Sequence, residues 1–244
     1  MTPDMTILIV SLAWFLGGFV NGVSGMGAAM VALPIVAGFM DMSEAVPSSC
    51  LVTCIVAGYV AWMYRRSCHM ASVWPMLLGC LPGVLAGVWV LKFVPGTWLQ
   101  AGLGSLLLVY MLWQYLYIPS GRHRESLPSG LLAGFGSGFA NAAISFSGPP
   151  VVIYALMVGW DKETTRGTLG AFFLAIAIVT CIAQAFAGFF TSSTLMAVAY
   201  GIPGAIAGLL ASIPVAQKIP EKQFKIVLKL MIAFAGFVCI YRTI

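Results

Sequence analysis

The chain has 244 residues, of which 61% are hydrophobic and only 8% are charged. A soluble domain carries about 25% charged residues, so this composition excludes a soluble fold and indicates that lipid is the solvent. The net charge of +5 does not indicate nucleic-acid binding, because the basic residues lie singly or in pairs between apolar stretches, as the positive-inside bias of membrane proteins predicts.

The first apolar stretch, residues 5–40, is interrupted by the sequence NGVSGMG at 21–27. The residues before it carry no positive charge and no small-residue cleavage site is evident, so we expect a mature segment rather than a signal peptide. Its arms of roughly 12 to 16 residues are short for full spans. They suit half-helices that meet at a break.

Three long apolar segments follow, and then the pattern recurs. A second interrupted stretch, residues 129–160, is broken by NAAISFSGPP at 141–150, and three more long segments complete the chain. Each of the six long segments has close to the ~20 residues that a spanning helix needs. The segments lie at roughly 46–63, 71–91, 97–117, 167–187, 193–215 and 224–241. We predict a first membrane repeat at 1–117, a cytoplasmic linker at 118–128 and a second membrane repeat at 129–244.

The chain repeats itself with a nearly constant offset. Asn141 follows Asn21 by 120 positions, and PGAIAG at 203–208 follows PGVLAG at 82–87 by 121. Each half has three long segments and one broken hairpin, which crosses the membrane twice or not at all, so each half crosses an odd number of times. We therefore predict an all-α integral membrane protein of two inverted-topology repeats, each with a broken or re-entrant hairpin and three spanning helices.

Most of the lysines and arginines fall in four loops, which are expected in the cytoplasm. These loops hold Arg65 and Arg66; Arg122 and Arg124; Lys162 and Arg166; and Lys218, Lys222 and Lys225. Both termini then face outside.

The hairpin tips are the best candidates for a substrate site. Half-helix N-termini and glycine-rich backbone present free N–H groups, which bind anions without a buried cation. Every Asp and Glu lies at a predicted loop or terminus, which favours an anionic or neutral substrate. The alternative is that the small residues only allow tight helix packing. The candidate binding residues are Asn21, Ser24, Gly25, Gly27, Asn141, Ser145, Ser147, Gly148 and Pro149.

Other chemistries find less support in the residues. Cys50 and Cys54 share a helix face but have no histidine or third cysteine near them, so neither a metal site nor any other cofactor is expected. Gly22-Val23-Ser24-Gly25 matches the G-x-S-G pattern of rhomboid-type intramembrane proteases. That reaction needs a histidine base inside the membrane, whereas His69 and His123 lie in predicted loops.

The two hairpins, GGFVNGVSGMGAAMVALP at 17–34 and GFGSGFANAAISFSGPPVVIYAL at 134–156, resemble the paired signatures of the toluene sulfonate uptake permease family. This family is also called the sulfite exporter TauE/SafE family. The resemblance extends to RGTLGAFF at 166–173 and to the PGxxAG repeats. It implies transport of a small anion, such as sulfite, a sulfonate or sulfoacetate, across a bacterial cell membrane. The sequence departs from the family pattern in both glycine runs, at 25–29 and 145–149.

We therefore expect a secondary transporter for a small anion that works by alternating access at a midplane site. An anion channel is the first alternative, and an intramembrane serine hydrolase acting through Ser24 is the second. The expected partners are a small anionic substrate and the lipid bilayer, with no nucleic acid and a homo-oligomer as an open possibility.

Overall fold

A computed structural model describes residues 3–25, 27–116 and 125–216. Throughout these residues the regular structure is helical, with a short 3-10 turn at Arg65–Ser67. The α-helices are α1 (Pro3–Ser24), α2 (Ala28–Val36), α3 (Met42–Met63), α4 (Met70–Phe93), α5 (Gly96–Leu116), α6 (Leu127–Ile144), α7 (Gly148–Val158), α8 (Lys162–Phe186) and α9 (Ser192–Ala216).

Five of these helices are long and apolar enough to cross a membrane, namely α1, α3, α4, α8 and α9. The outward face of α4 shows why they need lipid. Four large apolar residues recur there at helical spacing and are all largely exposed: Trp74, Leu78, Leu85 and Trp89. Such an apolar stripe is unfavourable in contact with water. The protein is a multi-pass membrane protein.

The predicted long segments are confirmed as helices α3, α4, α5, α8 and α9. The last predicted segment, 224–241, and residues 118–124 of the predicted linker lie outside the described residues. The division into repeats at 1–117 and 129–244 stays a prediction. Asp161 caps α8, as expected for a loop-end carboxylate, because its Oδ1 accepts a hydrogen bond of 2.7 Å from the Thr164 backbone N–H.

The arms of the two broken hairpins differ from the expected half-helices of roughly 12 to 16 residues. Their first arms, α1 and α6, have 22 and 18 residues, whereas their second arms, α2 and α7, have 9 and 11. The reason is that Asn21 and Asn141 do not end the helices that contain them. The breaks come later, where Gly25 and Ser145 adopt positive φ values of 82° and 50°.

Each hairpin docks on a helix of the other half of the chain. Helix α1 packs along α9, and α6 packs along α4. A Cβ on Gly204 would collide with the Ser11 carbonyl, and a Cβ on Gly83 with the Phe135 carbonyl, so the small-xxx-small motifs let backbones touch. Because Gly208 likewise meets Phe15, α1 and α9 run parallel.

Helices α3 and α8 lie between the hairpins and run antiparallel. Near the end of α3, the Tyr64 carbonyl approaches Gly167 at the start of α8. Further along, the Cys54 and Cys181 sulfur atoms are 3.8 Å apart. This central pair supplies two walls of the space between the hairpin tips.

Candidate substrate site

The two hairpin tips face each other inside the protein. The first tip turns at Gly25 and Gly27, whose φ values of 82° and 93° suit glycine. The second turns at Ser145, and a hydrogen bond of 2.6 Å from the Ser137 hydroxyl to the Ser147 carbonyl braces it. Non-helical backbone at membrane depth is tolerated only when protein buries it or when it lines a cavity.

A cavity of about 40 Å³ lies between the tips. A single water needs about 10–15 Å³ on this measure, so the cavity holds roughly three waters or one small ion. The lining contains no charged residue; it consists of Asn21, Gly25, Gly27, Ala28, Ala29, Met30, Thr53, Ala57, Val60, Asn141, Ser145, Ser147, Gly148, Gly170 and Phe173.

Seven of the nine predicted binding residues line this cavity: Asn21, Gly25, Gly27, Asn141, Ser145, Ser147 and Gly148. Pro149 is outside the lining and instead occupies the first turn of α7. The side chain of Ser24 lies outside the described residues.

Sequence reasoning missed the walls that α3 and α8 contribute, which include Thr53, Gly170 and Phe173. Thr53 is a polar residue within an apolar span, and this is the sequence signal that could have indicated a wall of the site. A buried hydroxyl in such a span normally needs a hydrogen-bond partner.

Two polar side chains at the cavity lack a partner within the described part of the chain. Asn21 is 6% exposed, and its side-chain amide makes no hydrogen bond to another described residue. Thr53 Oγ1 is buried and likewise unpaired. A buried polar group without a partner costs about 1–3 kcal/mol. A bound ligand with hydrogen-bonding atoms would remove that cost.

The matching asparagine of the second tip has a different environment. Asn141 is 3% exposed, and its Nδ2 donates a hydrogen bond of 2.9 Å to Thr180 Oγ1. Gln184, one turn further along α8, donates to the Ala142 carbonyl at 3.4 Å. These bonds tie the second tip to α8, so Asn141 has a structural role that Asn21 lacks.

The backbone donors at the two tips also differ. The first four N–H groups of a helix have no partner within it. Helix α2 has no side-chain cap, and its first residues, Ala28, Ala29 and Met30, line the cavity. At the start of α7, Pro149 and Pro150 have no N–H to donate. The first tip is therefore the stronger anion-binding end.

Two described carboxylates at the predicted cytoplasmic ends of the helices near the cavity, Glu125 and Asp161, are engaged elsewhere. Glu125 accepts hydrogen bonds from the Ser72 hydroxyl at 2.6 Å and the Trp160 indole at 2.8 Å, and His69 lies 3.6 Å away. Burial acts to raise the pKa of Glu125, but these hydrogen bonds and His69 together lower it below its ordinary value. The hydrogen bonds from Thr164 lower the pKa of Asp161. Neither carboxylate lines the cavity.

Residues 10–238 match the family described as Sulfite exporter TauE/SafE. The chain belongs to this family. Its members are membrane transporters, so membership agrees with the resemblance seen in the hairpin sequences and with the five apolar helices. It gives no support to the hydrolase alternative at Ser24. Comparison with curated proteins and comparison with solved structures gave no match.

Proposed function

We propose that this TauE/SafE family protein is a secondary transporter that binds a small anion between its two hairpin tips. The anion is sulfite, a small sulfonate such as sulfoacetate, or a related organic anion. The observation that carries the proposal is the cavity itself, where the Thr53 hydroxyl has no partner in the described chain and Asn21 lies beside the uncapped N-terminus of α2. Its volume suits an ion of sulfite's size better than a longer sulfonate.

Alternating access requires two elements that can move relative to each other around the site. The pairing of α1 with α9 and of α6 with α4 supports an inverted repeat, because exchanging the two halves converts one pair into the other. The antiparallel course of α3 and α8 supports it as well, since these helices occupy equivalent places in the two halves. Each hairpin would then move with a helix of the opposite half.

The proposed orientation places the protein in the bacterial inner membrane with both termini outside. Arg65 and Arg66 follow α3, and Lys162 begins α8. Tyr64 and Gly167 bring these two ends together, so these basic residues lie at one end of the central pair. The positive-inside bias assigns this end to the cytoplasm.

Counterflow in proteoliposomes tests the proposal against an anion channel. Vesicles that hold purified protein are loaded with unlabelled sulfite and diluted into a trace of ³⁵S-sulfite. A transporter accumulates the label transiently above equilibrium, and the flux saturates with sulfite concentration. Label that equilibrates without overshoot would favour the channel, and no flux of sulfite, sulfoacetate or a small carboxylate would refute the proposal.

A further inference from the structure

Arg166 lies against the first hairpin tip, although the sequence places it among the basic residues of a cytoplasmic loop. It belongs to the second turn of α8. Its Nη2 donates a hydrogen bond of 2.9 Å to the Val23 carbonyl, near the end of α1. Its Nη1 donates one of 3.1 Å to the Tyr64 hydroxyl, just beyond α3. One side chain thus joins α8, α1 and the end of α3.

The Arg166 side chain forms the layer directly behind the cavity wall. Gly25 lines the cavity, and a Cβ placed on it would lie 3.1 Å from Arg166 Cγ and 3.4 Å from Nε. Gly170, one helical turn beyond Arg166, lines the same cavity. The Arg166 side chain therefore lies close to two residues that line the cavity.

Arg166 makes no ion pair with a carboxylate of the described chain. The ion pair found there is His69 with Glu125, and Arg166 bonds only to the neutral Val23 carbonyl and Tyr64 hydroxyl. These bonds use two of the five N–H donors of a guanidinium. A cation without an ion-pair partner, close to a small and partly desolvated cavity, favours anions over neutral ligands.

The charge is placed at one tip only. The duplication offset of 120 pairs Arg166 with Val46, which is fully buried and apolar. Arg166 therefore lies at the same tip as the uncapped α2 N-terminus and the unpartnered Asn21. Two features, the Arg166 guanidinium and the α2 N-terminus, therefore contribute positive potential at the first tip, beside the neutral amide of Asn21.

We propose that Arg166 determines the charge selectivity of the transport site. Its guanidinium attracts an anion to the first tip, and its bonds to Val23 and Tyr64 hold that tip against α3 and α8. The inference rests on the proposed function, because it assumes that the cavity binds an anion. The simpler alternative is that Arg166 only caps the C-terminus of α1, where a cation is also favourable.

Sulfite titration of purified variants by calorimetry separates these roles. Arg166→Gln removes the charge and should weaken sulfite affinity by about tenfold or more. Arg166→Lys keeps the charge and should stay within roughly threefold of wild type, although it loses the planar fork. Arg65→Gln is the matched control. Arg65 lies just beyond α3, next to Tyr64, and donates a hydrogen bond of 2.9 Å to the Trp62 carbonyl. Replacing it with glutamine should therefore leave the sulfite affinity unchanged.

Equal sulfite affinity in wild type and Arg166→Gln, with a lower melting temperature in the variant, would show that Arg166 only caps α1. That result would overturn this inference and leave the proposed function intact. Wild-type protein that binds none of sulfite, sulfoacetate and small carboxylates would overturn the proposed function as well.

Chemical modification of the folded wild type keeps the test valid if Arg166→Gln does not fold. Phenylglyoxal is applied and removed before sulfite is added, and mass spectrometry gives the modified fraction of each arginine. Loss of sulfite binding should follow the fraction of Arg166 modified and not that of Arg65. Full binding by protein in which Arg166 is modified would overturn the inference.

Discussion

Met30 in α2 and Gly148 at the start of α7 are in contact where the two hairpin tips meet. A Cβ placed on Gly148 would collide with the Met30 methyl group, and both residues line the cavity. The contact therefore sets the width of the proposed anion site. It also links the two halves of the chain at the proposed site.

Gly148→Ala should weaken sulfite affinity by about three- to tenfold, because the new methyl group pushes the flexible Met30 side chain into the cavity. Met30→Ala removes the obstacle, so the double variant should recover most of the loss. Gly102→Ala is the control, since a Cβ at Gly102 meets nothing within 4 Å. Affinities of the three variants and wild type give the coupling between the two positions. Additive effects would show that the contact does not shape the site.

The two asparagines should behave differently when each is replaced by alanine. Asn21→Ala should weaken sulfite binding by roughly ten- to a hundredfold, the usual effect of losing a hydrogen bond to a charged group, with little change in melting temperature. Asn141→Ala should also lower the melting temperature, because it removes the bond to Thr180. Thr180→Val reproduces that second effect and is the comparison. Unchanged affinity in both asparagine variants would exclude the cavity as the binding site.

The sequence predicts the helical membrane class, four of the five described spanning helices and seven of the fifteen residues that line the cavity, because hydropathy and the duplicated asparagines carry that information. It places the two breaks within 21–27 and 141–150, as observed, but it does not show at which residue the first helix of each hairpin ends. Asn21 lies inside an apolar helix, and neither hydropathy nor propensity distinguishes a buried helical asparagine from a turn residue. The end of α1 is set by the positive φ of Gly25, a property of tertiary packing.

Arg166 and Thr53 escape sequence reasoning for a related reason. Arg166 precedes a long apolar run, so the positive-inside pattern assigns it to a loop, whereas the structure turns it toward Val23. Thr53 lies within an apolar span, and its role depends on the unpaired state of its hydroxyl. The arrangement of helices that are distant in sequence decides both cases, because it gives Arg166 a partner and leaves Thr53 without one.

Glu125 should contribute to stability in a pH-dependent way. Its pKa is lowered in the folded protein, so its contribution is present above the ordinary carboxyl pKa and is lost as the pH falls through the folded value. Glu125→Gln should therefore lower the melting temperature at pH 7, and the difference from wild type should shrink as the pH falls below the ordinary value of 4.5. Melting curves of both proteins from pH 7 to about 3 measure this. A difference as large at about pH 3 as at pH 7 would contradict the assignment.

The proposed orientation predicts the labelling of single cysteines in a cysteine-free background. Ser126 precedes α6 and Ser192 begins α9, and both are exposed. A membrane-impermeant maleimide applied to intact spheroplasts should label Ser192→Cys and should leave Ser126→Cys unlabelled until the cells are opened. Labelling of both positions from the outside would be incompatible with the proposed topology, since an odd number of crossings separates them.

The central claim is that a small anion binds at the first hairpin tip, and the amide chemical shifts of α2 test it most directly. Sulfite is titrated into ¹⁵N-labelled protein in nanodiscs, and the backbone N–H signals of Ala28 and Ala29 are followed, with Gly102 in α5 as the reference. We predict that the Ala28 and Ala29 signals shift and saturate at the affinity measured by calorimetry, while Gly102 does not move. Saturable sulfite binding that leaves the Ala28 and Ala29 signals in place would contradict the account.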